Sequence, residues 1–317
     1  AAFEQTMDAY RREMRAYCYR MLGSWDEAED AVQDTYLRAW RGVEAFEGRS
    51  QLRSWLYKIA TNVCLTMLEG RRRRALPMDL EAPSSSRAQL GERVPDDTWI
   101  QPILDRRVIN ADGDPADVAV SRETIRLAFI AALQHLPPRQ RAVLILRDVL
   151  RWRASEVAEL LGVTVVSANG LLRRARATLP ARDLTVGAAT PVTDDQGDLL
   201  ARYVDAFERL DIDTLVTLLH DDAVLSMPPY SLWLKGPRSI SEWLLANGCG
   251  GSKRLPLDVN GAPGFAVYKP TGPGGDYEAF AIEIVELSGD QVMAIHAFIE
   301  PPLFRRCGVP AALRTPS

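Results

Sequence analysis

The stretch SEVAELLGVTVVSANGLLRRARATL, residues 155–179, joins two helical patterns at Gly162. Val157, Ala158 and Leu161 form the inner face of the first pattern. Gly162 suits a left-handed turn, Val163 packs beneath it, and Thr164 sits where an N-cap belongs. In the second pattern Val165, Ala168, Leu172, Ala175 and Leu179 recur at helical spacing and predict a buried stripe. That leaves Ser167, Asn169, Gly170, Arg173, Arg174 and Arg176 mostly outward. Short polar groups near a helix start suit base edges, and arginines behind them suit phosphates. A solvated basic hairpin would show the same spacing. Gly170 weakens a helix interior by about 1 kcal/mol relative to Ala.

The chain has 317 residues and net charge −4, which looks wrong for a DNA reader. The charge is unevenly placed, however. Residues 1–75 carry net +2, 76–121 net −5, 122–182 net +7 and 183–317 net −8. The basic hairpin lies in the one strongly positive segment, and a concentrated positive field is what attracts phosphates. No run of eighteen apolar residues occurs, so no membrane partner is expected. No secretory leader pattern opens the chain, which points to the cytoplasm. Cys18, Cys64, Cys249 and Cys307 lie far apart, so buried free thiols are expected rather than a disulfide framework. With no Cys/His cluster, neither a metal nor another cofactor is called for.

Upstream, the pattern predicts three helices. Residues 3–22 carry an apolar stripe that ends at Gly23. Residues 24–40 open with Ser24 and Glu27 in capping-box spacing. Their stripe is Ala28, Val32, Tyr36 and Ala39 or Trp40, and their polar face includes Asp26, Asp30, Gln33, Asp34 and Arg38. Leu52, Leu56, Ile59, Val63 and Met67 mark the third helix, which Arg71, Arg72, Arg73 and Arg74 are expected to continue. Residues 76–121 read as a mostly flexible acidic linker, except that DTWIQPILD (97–105) has an apolar cluster expected to dock. Residues 122–182 are helical again, and 183–193 form a second linker. Residues 194–305 predict an α+β domain, with helices over 194–210 and 211–220 and strands over 223–227, 265–270, 277–287 and 291–299.

Taken in order, these motifs resemble bacterial sigma factors of the extracytoplasmic-function (ECF) class of the sigma-70 family. GSWDEAEDAVQDTYLRAW (23–40) is similar to the polymerase-clamp helix of sigma region 2. FEGRSQLRSWLYKIATNVCLTMLEGRRRR (46–74) is similar to its promoter −10 segment. LPPRQRAVLILRDVLRWRASEVAELLGVTVVSANGLLRRARATL (136–179) is similar to sigma region 4, the −35 reader. LLARYVDAFERLDIDTLVTLLHDDAVLSMPP (199–229) resembles the opening of the SnoaL-like cone fold, which sigma factors of some subgroups carry as a C-terminal extension. The glycine-rich C-terminal motif of the best-known such subgroup is absent.

The resemblance implies a multidomain protein: all-α sigma region 2 (1–75) and sigma region 4 (122–182), then an α+β SnoaL-like domain (194–305) modulating them in cis. The expected partners are core RNA polymerase, through its β′ clamp coiled coil and β flap, promoter DNA, and the sigma domains themselves for the C-terminal domain. Polymerase contact falls to Asp26, Asp30, Gln33, Asp34 and Arg38. The −10 element falls to a base-capture loop, Phe46, Glu47, Gly48 and Ser50, with Arg53, Tyr57, Lys58, Thr61 and Asn62 on the exposed side of the next helix, and to Arg71, Arg72, Arg73 and Arg74. Trp55 is assigned to core packing. Ser167, Asn169 and Arg173 fall to −35 bases, and Arg174 and Arg176 to phosphates.

In the C-terminal domain Tyr230, Trp233, Trp243, Tyr268 and His296 are candidates to line a ligand pocket. Asp221, Asp222, Glu283 and His296 are its ionisable candidates for proton transfer, but none falls in a catalytic pattern, and no enzymatic activity is expected. Two rivals stay open: a helix-turn-helix regulator with a ligand-sensing domain, and an enzyme fused to a DNA-binding segment.

Overall fold

The computed structural model describes residues 2–43, 51–179, 194–247, 251–272 and 275–314, with cysteines 18, 64 and 307 buried and free. The chain forms two compact units, Ala1–Arg74 with Ile100–Ala189, and Ala75–Trp99 with Thr190–Ser317.

In the first unit α1 (Ala2–Leu22), α2 (Trp25–Gly42) and α3 (Leu52–Leu68) pack on one another. Ser24 caps α2, its hydroxyl accepting from the Glu27 amide at 3.3 Å. Short helices follow: α4 (Asp105–Val108), α5 (Pro115–Glu123), α6 (Leu127–Gln134) and α7 (Pro138–Leu144), then a π-helical turn at Ile145–Val149. α8 (Ala154–Leu161) and α9 (Val165–Thr178) complete the unit and pack on each other.

Two buried arginines tie these helices by bonding carbonyls rather than carboxylates. Arg20 donates to the Thr124 carbonyl and hydroxyl at 3.2 and 2.7 Å. Arg141 donates to the Met21 carbonyl, to Gln134 Oε1 at 2.8 Å and to the Leu136 carbonyl at 3.2 Å. Burial pulls both guanidinium pKa values down to about 10, so both stay charged near neutral pH.

The second unit is a seven-stranded sheet packed by helices. α10 (Asp194–Arg209) and α11 (Ile212–Leu218) lead into β1 (Leu219–Ser226) and β2 (Trp233–Lys235); α12 (Pro237–Ala246) precedes β3 (Lys253–Val259). β4 (Ala262–Pro270), β5 (Tyr277–Ser288), β6 (Gln291–Phe298), α13 (Pro302–Cys307) and β7 (Ala312–Leu313) follow. The strand order is β2-β1-β6-β5-β4-β3, with β7 on β5. Only the β1–β6 pair is parallel among the described strands. Tyr203, Phe207, Leu225, Trp243, Phe265 and Ile295 belong to the core between sheet and helices. This is the α+β arrangement expected, with helix–helix–strand at its start; β2, β3 and β7 carry little periodic signal and were not anticipated.

The segment 76–121 departs from a mostly flexible linker. Residues 75–99 form a strap along the second unit: the Ser84 amide donates to the Trp233 carbonyl at 2.8 Å and the Val94 amide to the Pro229 carbonyl at 2.9 Å. The indoles of Trp233 and Trp243 donate to the Glu81 and Ala88 carbonyls at 2.9 and 2.8 Å. Residues 100–108 join the first unit, where Ile100, Ile103 and Leu104 are buried and Ser24 donates to Gln101 Oε1 at 2.7 Å. The expected docking of DTWIQPILD is therefore split between Trp99 and Ile100. Backbone groups satisfied by fixed partners hold an apolar-poor, acidic stretch in place.

Candidate nucleic-acid interface

The α8–α9 hairpin turns as its sequence requires. Gly162 sits at φ 63°, ψ 39°, a left-handed conformation that favours glycine. Thr164 caps α9, its hydroxyl accepting from the Ser167 amide at 3.1 Å. Ala168, Leu172, Ala175 and Leu179 are buried, as the spacing predicts. Val165 is not: it is 42% exposed, and the neighbouring Val166 is 81% exposed. The apolar side chains of the first turn of α9 therefore reach solvent.

Ser167, Asn169, Arg173, Arg174 and Arg176 are all exposed on α9, with Gly170 half-buried among them. Arg173 and Arg174 make no ion pair among the described residues. Arg176 differs: it pairs with both Asp148 oxygens, Nε at 2.9 Å and Nη2 at 2.6 Å. Asp148 sits on the π-helical turn, a partner that α9's own sequence could not reveal. α9 thus offers short polar and apolar groups at its N-terminal end and two uncompensated guanidiniums behind them, the distribution that suits base edges and phosphates.

Behind that turn Arg151 takes φ 60° and exposes its side chain, whereas Trp152 is buried. The Trp152 ring meets Tyr57 of α3 edge-on, with centroids 4.9 Å apart. This overturns part of the expected exposed face of α3. Tyr57 and Thr61 are fully buried, and Tyr17 OH lies 2.7 Å from Thr61 Oγ1. Tyr57 donates to Glu13 Oε1 at 2.8 Å, and Arg53, half-buried, donates to the same oxygen from Nε at 2.7 Å. Lys58 and Asn62 are exposed as expected, and Trp55 is half-buried. A polar or aromatic residue at helical spacing does not disclose which neighbouring helix covers it, and the α7–α8 region does so here.

Phe46, Glu47, Gly48 and Ser50 lie outside the described residues. The four arginines do not continue α3, which ends at Leu68; Gly70 turns the chain at φ 70°. Arg71, Arg72 and Arg73 are exposed, whereas Arg74 is buried and pairs with Glu27 at 3.0 Å. Arg71 also pairs with Glu27, and Arg73 bonds the His135 ring. Glu27 therefore recruits two of the four, which leaves Arg72 the most open of them.

On α2 the polar row is on one face. Asp30, Gln33 and Arg38 are exposed, Arg38 pairs with Asp34 at 2.8 Å, and Asp26 is half-buried beside Gln101 Nε2 at 3.4 Å. Ala39 rather than Trp40 completes the buried stripe. Leu37 and Trp40 are 50% and 52% exposed, so apolar surface interrupts the charged face.

Two descriptions of known families match this chain: Sigma-70 region 2 over residues 6–74 and Sigma-70 region 4 over residues 126–179. Along almost its whole length it is 44% identical to the ECF RNA polymerase sigma factor SigG of Mycobacterium tuberculosis, covering 98% of this chain and 85% of that one. The chain belongs to the ECF sigma factors. The ECF sigma factor SigJ of the same organism is 27% identical over 94% of this chain and 91% of its own. The crystal structure of SigJ shares the fold, with a TM-score of 0.61 at 23% identity, covering 97% of this chain and 99% of that chain. Core RNA polymerase and promoter DNA are what sigma function implies as partners. No single helix among the described residues is long and apolar enough to cross a membrane.

In this sigma factor the C-terminal unit contains a small, partly open cavity. Of the five residues expected to line a pocket, Trp243 alone lines this one. Tyr230 is half-buried, Trp233 holds the strap, and Tyr268 donates to the Pro310 carbonyl at 2.9 Å while packing on Phe304. His296 is buried with Nδ1 2.8 Å from Ser226 Oγ, and burial pulls its pKa below the ordinary 6.5. Register explains the separation. His296 pairs with Ile284 and Ala297 with Glu283, so His296 and Glu283 point to opposite faces of the sheet. Asp221 and Asp222 are exposed, and Asp222 pairs with Lys235 at 3.0 Å. The polar lining comes instead from Ser252, Arg254, Lys269 and Glu283. Of these the sequence reading singled out Glu283 alone. Arg254 followed by alternation on a strand was its only local signal.

Proposed function

We propose that this ECF sigma factor reads promoter −35 bases with Ser167, Asn169 and Arg173 at the front of α9, and holds phosphates with Arg174. Val165 and Val166 add apolar contact suited to thymine methyl groups. Arg176, held by Asp148, acts at the phosphates only if that pair opens. The observation that carries the reading is the split of α9 into a buried inner row and an outer row in which Arg173 and Arg174 make no ion pair among the described residues.

On α3, Lys58 and Asn62 face the −10 strand, joined by Arg72 and by the loop of Phe46, Glu47, Gly48 and Ser50. Arg53 and Tyr57 join them only when the Trp152 contact parts, and Thr61 only when Tyr17 of α1 also moves away. Asp30, Gln33, Asp34 and Arg38, with Leu37 and Trp40, dock α2 on the β′ clamp coiled coil, where carboxylates steer and apolar groups anchor. Region 4 docks on the β flap. The C-terminal unit performs no covalent chemistry and modulates the sigma regions in cis through the strap, since the strap is the chain that connects region 2 to region 4.

Run-off transcription with purified core RNA polymerase tests this, using the full chain and its Asn169→Ala and Arg173→Ala variants. Discrete transcripts lost in both variants are expected. Tight, specific duplex binding without polymerase, and no transcripts with it, would move the assignment to a conventional regulator.

A further inference from the structure

The cavity of the C-terminal unit is lined by apolar rings and by charged side chains set against them. Phe207, Trp243 and Phe280 contribute the rings. The Arg254 guanidinium lies over the Phe207 ring, its Cζ 4.2 Å from the centroid, and is ion-paired with Glu283, the two side chains being only 3% and 6% exposed. Arg254 Nε and Nη2 donate to the two carboxylate oxygens at 3.2 and 3.3 Å, and Nη1 donates to Ser252 Oγ at 2.7 Å. A guanidinium carries five N–H groups, so two of Arg254's have no acceptor among the described residues. Glu283 is also bonded by Tyr203 OH at 2.9 Å, so its charge is spent on fixed partners. The third ionisable lining residue, Lys269, is half-buried with Nζ 3.8 Å from the Phe280 ring centroid and has no carboxylate partner among the described residues. The lining is therefore one positive charge in excess, with free donors on a buried cation.

Trp243 belongs to the cavity and to the strap at once. Its ring lines the cavity, and its Nε1–H donates to the Ala88 carbonyl at 2.8 Å. Ala88 and Leu90 of the strap pack on the same core. A ligand that fixes the indole also fixes the strap's hydrogen bond, and by linkage a docked strap favours the ligand equally.

We infer that this cavity binds an amphipathic monoanion, an apolar chain or ring bearing one carboxylate, and that Trp243 transmits its occupancy to the strap. The carboxylate takes Lys269 and the spare Arg254 donors, and the apolar body covers Phe207, Trp243 and Phe280. An apolar pocket with few convergent polar groups is the usual form of a small-molecule site. The transmission half rests on the reading that this domain acts through the strap; binding does not.

Two measurements on the full chain, without polymerase or DNA, keep them apart. The first is calorimetric titration with sodium octanoate, with octanol and octylamine as the neutral and cationic probes of equal length. Octanoate binding is expected, weakened about tenfold or more by Lys269→Met and by either change of head group. No octanoate binding at millimolar concentration, or octanol binding as tightly, would overturn the site. The second is hydrogen exchange of the 84–94 amides. Octanoate is expected to slow exchange about tenfold in the parent chain and to leave it unchanged in Trp243→Phe, which keeps a ring but loses the N–H. Binding with no change of exchange in the parent chain would overturn the transmission and leave both the site and the promoter reading standing.

Discussion

Replacing Glu283 by Leu removes the carboxylate that is ion-paired with the buried Arg254. The magnitude follows from the geometry. Both side chains are almost fully shielded, so solvent cannot stand in for the missing charge. Breaking a buried pair by removing one partner costs about 3–5 kcal/mol. Tyr203 OH loses its acceptor as well, which adds about 1–3 kcal/mol for an orphaned buried hydroxyl. The single variant should therefore lose about 4–8 kcal/mol, a large share of a domain stability of about 5–15 kcal/mol. Adding Arg254→Met removes the stranded cation and leaves only the tyrosine orphaned. The double variant should sit within about 1–3 kcal/mol of the parent, more stable than the single one. Urea unfolding followed by hydrogen exchange at the β4 and β5 amides reads this unit alone. A cost below about 1 kcal/mol for Glu283→Leu, or a double variant no better than the single, would refute the claim that Glu283 compensates Arg254.

Asn169→Ala should cost about 1–3 kcal/mol of promoter affinity in the polymerase holoenzyme, measured by competition with altered −35 sequences. Arg174→Ala should instead weaken all sequences alike and reduce the slope of log affinity against log salt by about 1. Leu37→Asp with Trp40→Asp should weaken core polymerase binding about tenfold or more, measured by fluorescence anisotropy, and change stability by no more than about 0.5 kcal/mol, because both side chains are half exposed. His296 gives a pH signature. Desolvation pulls its folded pKa below 6.5 against the opposing pull of Glu286 and Asp79. The unfolded chain therefore binds a proton that the folded unit refuses, and stability falls as pH drops below about 6.5 and levels off below the folded pKa. The pH dependence of Tm should be shallower in that window for His296→Asn; parallel curves would show that His296 is not the group responsible.

The hairpin was legible because its signals are local. Gly162, Thr164 and the recurring apolar positions act within one or two turns, and the structure repeats them nearly unchanged. The α2 cap at Ser24 was legible for the same reason. Val165, Trp40, Tyr57 and Thr61 were not. Helical spacing says which side chains share a face, and the burial of that face depends on a neighbour distant in sequence. Tyr57 is covered by Trp152, and Val165 is left 42% exposed. The arginines at 71–74 show the same limit in electrostatic form, because Glu27, far upstream, decides which of them stay available.

By itself, then, the sequence determined the helical elements of the sigma regions, the turn between α8 and α9, the basic character of the second of those helices and the α+β class of the C-terminal unit. Each follows from periodicity, capping or charge within a short window. Only tertiary structure decided which DNA-facing candidates are open, that the acidic segment is a strap, and where the C-terminal cavity gathers its polar groups. Sheet register puts Glu283 inside and His296 outside, and strand pairing between residues far apart in the chain has no signature in any single window.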